Sequence, residues 1–218
     1  MFSPGYIKNT IKSLIPDSFL VHRLPSSAGN AVILTFDDGP DEKITPRILE
    51  QLEEYNVHAV FFVIGEKVAM FPNIFEMIVQ RGHTIGNHTY SHHYKKIPSF
   101  KVYLRDIIRC QQIIEEKTGN KPILYRPPAG FISPITLLLA RTQGLKTVLW
   151  SNEGGEWGVN KQDTASTIGN RLINTLQPRD IVLLHDNNEK VPFIMEMILP
   201  ALKNRSIDLQ HGVHAICP

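Results

Sequence analysis

No run of apolar residues in this 218-residue chain approaches the ~20 needed to cross a bilayer, so nothing in it reads as a membrane-spanning helix. Near the N-terminus the apolar positions are interrupted by Asn9, Lys12, Ser13, Pro16 and Asp17, which leaves no secretory hydrophobic region; the expectation is a cytoplasmic protein. Cysteine is scarce. Cys110, inside a helical pattern, and Cys217, beside the C-terminus, are too few for a disulfide framework and read as free thiols. Charge of one sign is lacking as well: 23 basic against 21 acidic residues give a formal +2 with no basic block, so no nucleic-acid partner is expected. What is present, 42% hydrophobic and 20% charged residues, is the composition of an ordinary globular domain long enough to bury a core.

Residues 1–30 read as a lead-in with an amphipathic helix over Tyr6–Leu20. Ile7, Ile11, Leu14 and Ile15 take one face, Lys8 and Lys12 the other. Packing on the domain is the expectation, and lying on a membrane surface is the alternative. Residues 31–218 read as one domain in which apolar, β-branched runs alternate with helical patterns. Strands are expected at Ala31–Phe36, Ala59–Ile64, His83–Gly86, Ile123–Tyr125, Thr147–Trp150, Ile181–Leu184 and Val213–Cys217. Helix starts are signalled by Thr45-Pro46, Pro72, Ser99, Ser133-Pro134 and Asp163 or Thr164, and stops by Gly82, Gly119 and Gly144. This alternation predicts a parallel sheet, and seven βα units in this length predict a closed or nearly closed barrel related to the eight-fold one.

The chemistry-bearing residues fall at the C-terminal ends of the expected strands: Asp37-Asp38, then His88 and His92, Arg126, the stretch Glu153 to Trp157, and His185. In a parallel barrel these ends share one face, where active sites sit. Adjacent acids at a strand's end point to opposite sides, so one can bind a cation while the other moves a proton. His88 and His92 are four apart, which brings both imidazoles onto one cation if Thr89 to Ser91 forms a helical turn; a nearby carboxylate completes the usual catalytic divalent site. The remaining histidines read as surface or core residues.

Five stretches in this order, Thr35-Phe-Asp-Asp-Gly-Pro40, His88-Thr-Tyr-Ser-His92, Arg126-Pro-Pro-Ala-Gly130, Glu153-Gly-Gly-Glu-Trp157 and Leu183-Leu-His-Asp186, resemble the signatures of polysaccharide deacetylases with a NodB homology domain, carbohydrate esterase family 4. The resemblance covers roughly Ala31 to the C-terminus. It implies a distorted (β/α)7 TIM-like barrel that hydrolyses the N-acetyl group of an amino sugar in a poly- or oligosaccharide, including lipid-linked or cell-envelope glycans. An O-acetyl ester or N-formyl glycan and a weakened glycan-binding domain are the alternatives. It further implies one divalent ion, zinc with cobalt, nickel or manganese as alternatives, held by Asp38, His88 and His92. By the same resemblance Asp37 is the general base and is paired by Arg126, His185 is the general acid and is oriented by Glu156, and Trp157 and Leu183 wall the acetyl methyl. Two departures stand out. Ala129 replaces an aromatic residue while keeping the backbone N–H near the oxyanion, and Glu153 and Glu156 replace aspartates.

Overall fold

The computed structural model describes residues 15–93, 99–157 and 161–217. Eight parallel strands make one sheet: β1 (Leu20–Val21), β2 (Ile33–Asp37), β3 (Val60–Val63), β4 (Thr84–Asn87), β5 (Leu124–Tyr125), β6 (Lys146–Val148), β7 (Asn152–Glu153) and β8 (Ile181–His185). Their order is β1-β6-β5-β4-β3-β2-β8-β7. The chain leaving β6 first donates from Leu149 N to Val21 O at 2.8 Å and then from Ser151 N to Ile181 O at 3.1 Å. It thus bridges from β1 to β8, and the row curls into the distorted (β/α)7 barrel the resemblance implied. Around it lie α1 (Ile44–Glu54), α2 (Gly65–Met70), α3 (Pro72–Gln80), α4 (Phe100–Thr118), α5 (Pro134–Thr142), α6 (Ala165–Thr175) and α7 (Val191–Asn204).

Alternation along the strands sets up two apolar layers. Leu34 and Phe36, Phe61 and Val63, and Val182 and Leu184 pack outward under α1, α3, α6 and α7. Ile33, Val60, Phe62, Leu124, Val148 and Ile181 fill the interior. Parity then carries Asp37, two residues beyond Thr35, to the interior rim, and His185 there two residues beyond Leu183. The expected helix stops hold: Gly82, Gly119 and Gly144 all have left-handed backbone, with φ of 75°, 74° and 76°. The Ser133 hydroxyl accepts from Thr136 N in a capping box, and Thr164 caps α6 by accepting from Thr167 N. Thr45 does not cap α1; the Asp41 carboxylate does, accepting from Lys43 N and Ile44 N at 2.9 Å each.

Three further expectations change. Most of the Tyr6–Leu20 helix lies outside the described residues; where it is described, Phe19 N closes a turn on Pro16 O and Leu20 opens a strand. Leu20 and Val21 pair with Thr147 and Val148, so the sheet begins inside the segment expected as a lead-in. Val213–Cys217 is not a strand but follows a 3₁₀ turn over Gly212–Ala215. The alternating Val213, Ala215 and Cys217 imitate a strand, yet Val213 and Ile216, three apart, are the two that are buried in the inner cluster with Ile33 and Ile181, which a 3₁₀ turn places on one side.

The outer layer depends on Phe61, 1% exposed and stacked on Phe36 with ring centroids 4.9 Å apart. Phe61→Ala should lower the unfolding free energy in urea by ~3–5 kcal/mol without changing the m-value; a loss under 1 kcal/mol would contradict this packing.

Candidate active site

Asp37 ends β2 with its side chain inward and 3% exposed. Its Oδ1 accepts from Arg126 Nη1 at 2.7 Å, and its Oδ2 stands 3.6 Å from His88 Nε2. Asp38 is off the strand, with φ of 74°, and points its Oδ1 at His88 Nε2 (3.4 Å) and His92 Nε2 (3.1 Å). His88 follows β4, and its Nδ1–H donates to Arg126 O at 2.7 Å, which turns Nε2 towards Asp38; burial works against the imidazolium, but the Asp37 and Asp38 carboxylates override it and raise the pKa.

The two histidines do not meet through a helical turn as the spacing suggested. Thr89 (φ 66°) and His92 (φ 51°) take left-handed backbone, and the bend brings the ring centroids to 4.8 Å. Such a conformation is rare for a β-branched residue and needs support. Asn87 Oδ1 accepts from Thr89 N (2.8 Å), Thr89 Oγ1 accepts from His92 N (3.1 Å), and Asp106 of α4 accepts from Ser91 Oγ (2.8 Å) and Ser91 N (3.2 Å).

These atoms fit a cation. One ligand atom from each of Asp38, His88 and His92 lies within 4.8 Å of the others, and Asp38 Oδ1 is buried without a hydrogen-bond partner. Burial alone would raise the Asp38 carboxyl, but the facing imidazoles outweigh it and hold the group well below the usual carboxylate range. Burial, with the His88 ring beside it, pushes His92 down to about 4, so its ring is neutral and able to ligate.

Across the pocket His185 ends β8, and Glu156, 2% exposed, accepts from its Nδ1–H at 2.9 Å. Burial works against the imidazolium, but the Glu156 carboxylate overrides it and raises the pKa. The longer side chain of Glu156, compared with the aspartate its position resembles, therefore reaches His185. Leu183 and the half-exposed Trp157 line the same pocket of about 570 Å³, with Trp157 edge-on to His185 at 6.1 Å between ring centroids. Ala129 (φ 53°) and Gly130 also line it. All ten sequence-identified site residues are thus on this rim or directly behind it, Arg126 being fully buried.

Several contributors carried no assigned role in the sequence reading. Thr35 Oγ1 accepts from Arg126 Nη1 at 2.7 Å; its parity with Asp37 was the available signal. Asp186 packs its carboxyl against Gly39, where no Cβ fits, and accepts from Thr45 Oγ1 at 2.7 Å; burial pushes it up to about 7. Trp150 and Asp106 had no legible signal.

Residues 25–148 match the polysaccharide deacetylase family. A peptidoglycan-N-acetylglucosamine deacetylase of Bacillus cereus is 34% identical over 201 residues, covering 89% of this chain and 91% of that protein. The peptidoglycan-N-acetylmuramic acid deacetylase PdaC of Bacillus subtilis is 35% identical over 155 residues, covering 71% of this chain and 32% of that protein. Among solved structures, the Bc1960 peptidoglycan N-acetylglucosamine deacetylase in complex with a naphthalenyl N-oxidanyl-benzamide superposes with a TM-score of 0.82 at 34% identity, covering 90% of this chain and 92% of that one.

The His185–Glu156 pair makes a direct prediction. Glu156→Gln should lower the titration midpoint of the His185 ring, followed by NMR, while Glu156→Asp should retain most of the upward shift. An unchanged midpoint in Glu156→Gln would show that another group sets it.

Proposed function

This chain belongs to the polysaccharide deacetylase family and is a hydrolase that removes N-acetyl groups from amino sugars of a glycan, and we propose that the glycan is peptidoglycan. The observation that carries the proposal is the pocket itself: a carboxylate fixed by a buried arginine and an imidazole fixed by a buried carboxylate line one pocket with an Asp-His-His cation set. The substrate reading draws on the peptidoglycan deacetylases among its relatives. Peptidoglycan lies outside the cytoplasmic membrane, so this reading moves the site of action from the cytoplasm, expected from the N-terminal sequence, to the cell envelope. Among the described residues no helix is long and apolar enough to cross a membrane.

In the proposed mechanism Asp38, His88 and His92 hold one divalent ion, with zinc our assignment. Such an ion, when bound, polarises the amide carbonyl and activates water. Asp37 is the base. With Oδ1 tied to Arg126, its Oδ2 is the oxygen left to take the proton of the attacking water. The Ala129 N–H is assigned to the developing oxyanion. His185 supplies the proton that the leaving amine needs; its Nδ1 is engaged by Glu156, so Nε2 is the donating atom. Leu183 and Trp157 enclose the acetyl methyl and keep water from its far side.

Elemental analysis should give about one metal per chain, lost in His92→Ala. Chelation should stop acetate release from chitooligosaccharides, and added metal should restore it. Asp37→Asn should keep the metal yet lose ~10²–10⁴-fold in kcat; loss of metal in step with activity would reverse the two aspartates. His185→Ala should cut amide hydrolysis far more than hydrolysis of an activated ester whose leaving group needs no proton. Equal losses on both would assign the proton donor elsewhere.

A further inference from the structure

The relatives include deacetylases of both N-acetylglucosamine and N-acetylmuramic acid, sugars that differ by a lactyl group ending in a carboxyl. The charge of the pocket bears on which of them this chain accepts. Four carboxylates line it, Asp37, Asp38, Glu153 and Glu156, and among its described lining residues there is no lysine or arginine. Three of the four have cationic or ionisable partners: Asp37 on Arg126 (2.7 Å), Asp38 on the two imidazoles, and Glu156 on His185 (2.9 Å). Glu153 does not. Its Oε2 accepts from Trp150 Nε1 at 3.0 Å, an uncharged donor, and among the described residues it has no ion-pair partner.

Its position is built rather than incidental. Glu153 is in register with Leu183 across β7 and β8, so the two side chains share the pocket face. Trp150, which holds it, is itself seated on Gly130, where an added Cβ would come within 2.6 Å of the indole. The extra methylene relative to aspartate carries the carboxylate out to that indole.

We propose that Glu153 is a specificity-determining residue that makes this site favour neutral amino-sugar glycans over glycans carrying a free carboxylate beside the reacting sugar. The inference rests on the deacetylase reading. Glu153 is exposed on the pocket wall, and a carboxylate there without a cationic partner among the described residues repels a like charge on the substrate by an amount worth roughly three- to tenfold in kcat/KM, an effect screened by salt.

The test uses the metal-loaded protein and peptide-free strands of alternating N-acetylglucosamine and N-acetylmuramic acid. Their lactyl carboxylates are either free or methyl-esterified, and chitotetraose serves as control. Wild type should release acetate from the ester strands roughly three- to tenfold more efficiently than from the acid strands, chiefly through KM and less so at high salt. Glu153→Gln should bring the ratio towards one, and Glu153→Asp should keep most of it. A charge-independent structural role would lower both rates and leave the ratio alone. An equal or higher efficiency on the free acids in wild type, or a wild-type ratio preserved in Glu153→Gln, would overturn the inference while acetate release upholds the deacetylase reading. No acetate from either strand or from chitotetraose would overturn both.

Discussion

A fully buried guanidinium is the constraint on which this site depends. Arg126, 0% exposed, donates from Nη1 to Thr35 Oγ1 and Asp37 Oδ1 at 2.7 Å each, from Nε to Val148 O at 3.1 Å, and from Nη2 to Leu149 O at 3.1 Å. Its Cζ lies 4.1 Å from the Phe62 ring centroid. Through its own carbonyl it orients His88, and its amide bonds to Asn87 O. One residue therefore ties β2 to the end of β6 through its side chain and orients a proposed metal ligand through its backbone carbonyl. A lysine could not make this planar, multidentate set. Taking the pair out of water is costly, and removing one member would leave a buried charge at ~3–5 kcal/mol, so the arrangement is better understood as positioning Asp37 than as stabilising the fold.

The second constraint is backbone strain. Asp38, Thr89, His92 and Ala129 all have positive φ, and each such residue costs of order 1–3 kcal/mol that the surrounding structure must offset. The surroundings can be named. Behind Asp38, the Asp186 carboxyl fills the space over Gly39 and is anchored by Thr45 of α1. Behind Thr89 and His92 stand Asn87 and Asp106, and Asn87 is in turn held by its Nδ2 on Ile107 O at 2.9 Å. Arg109 of α4 lies 3.6 Å from the Tyr90 ring centroid and covers the same bend. α4 thus acts as a clamp on the loop that carries two proposed ligands.

What could be read beforehand follows from this division of labour. Strand parity, helix stops and the succession of polar clusters at strand ends are local or periodic properties, so the barrel and the shared rim were legible. The bend at His88–His92 was not: its four-residue spacing fits a helical turn, and the left-handed alternative depends on Asp106, fourteen positions beyond His92 and on another element. Strands of two residues such as β1 and β7 carry no period at all, and they exist because the flanking backbone supplies partners. The C-terminal turn was misread for the converse reason, since Val213 to Cys217 alternates like a strand while its burial follows a three-residue step.

The acids show most clearly that residue type alone does not assign a role. Five carboxyl groups sit on or just behind the rim, and each is set apart by its partner. Asp37 meets a guanidinium and is held in one orientation. Asp38, its neighbour in sequence, leaves the strand, faces two imidazoles and keeps a buried oxygen free for a cation. Glu156 meets one imidazole and raises its pKa. Asp186 accepts from a hydroxyl in a buried setting, where burial pushes its pKa up to about 7, and it serves as filler behind the strained turn. Glu153 meets an indole and has no ion-pair partner among the described residues. The order in which these partners appear is dictated by the sheet: parity separates Asp37 from Asp38, β8 brings His185 opposite, and β7 with the chain just after it delivers both glutamates. Chemistry at this rim is thus specified by which neighbour each carboxyl is given, and the barrel is the device that makes the allocation.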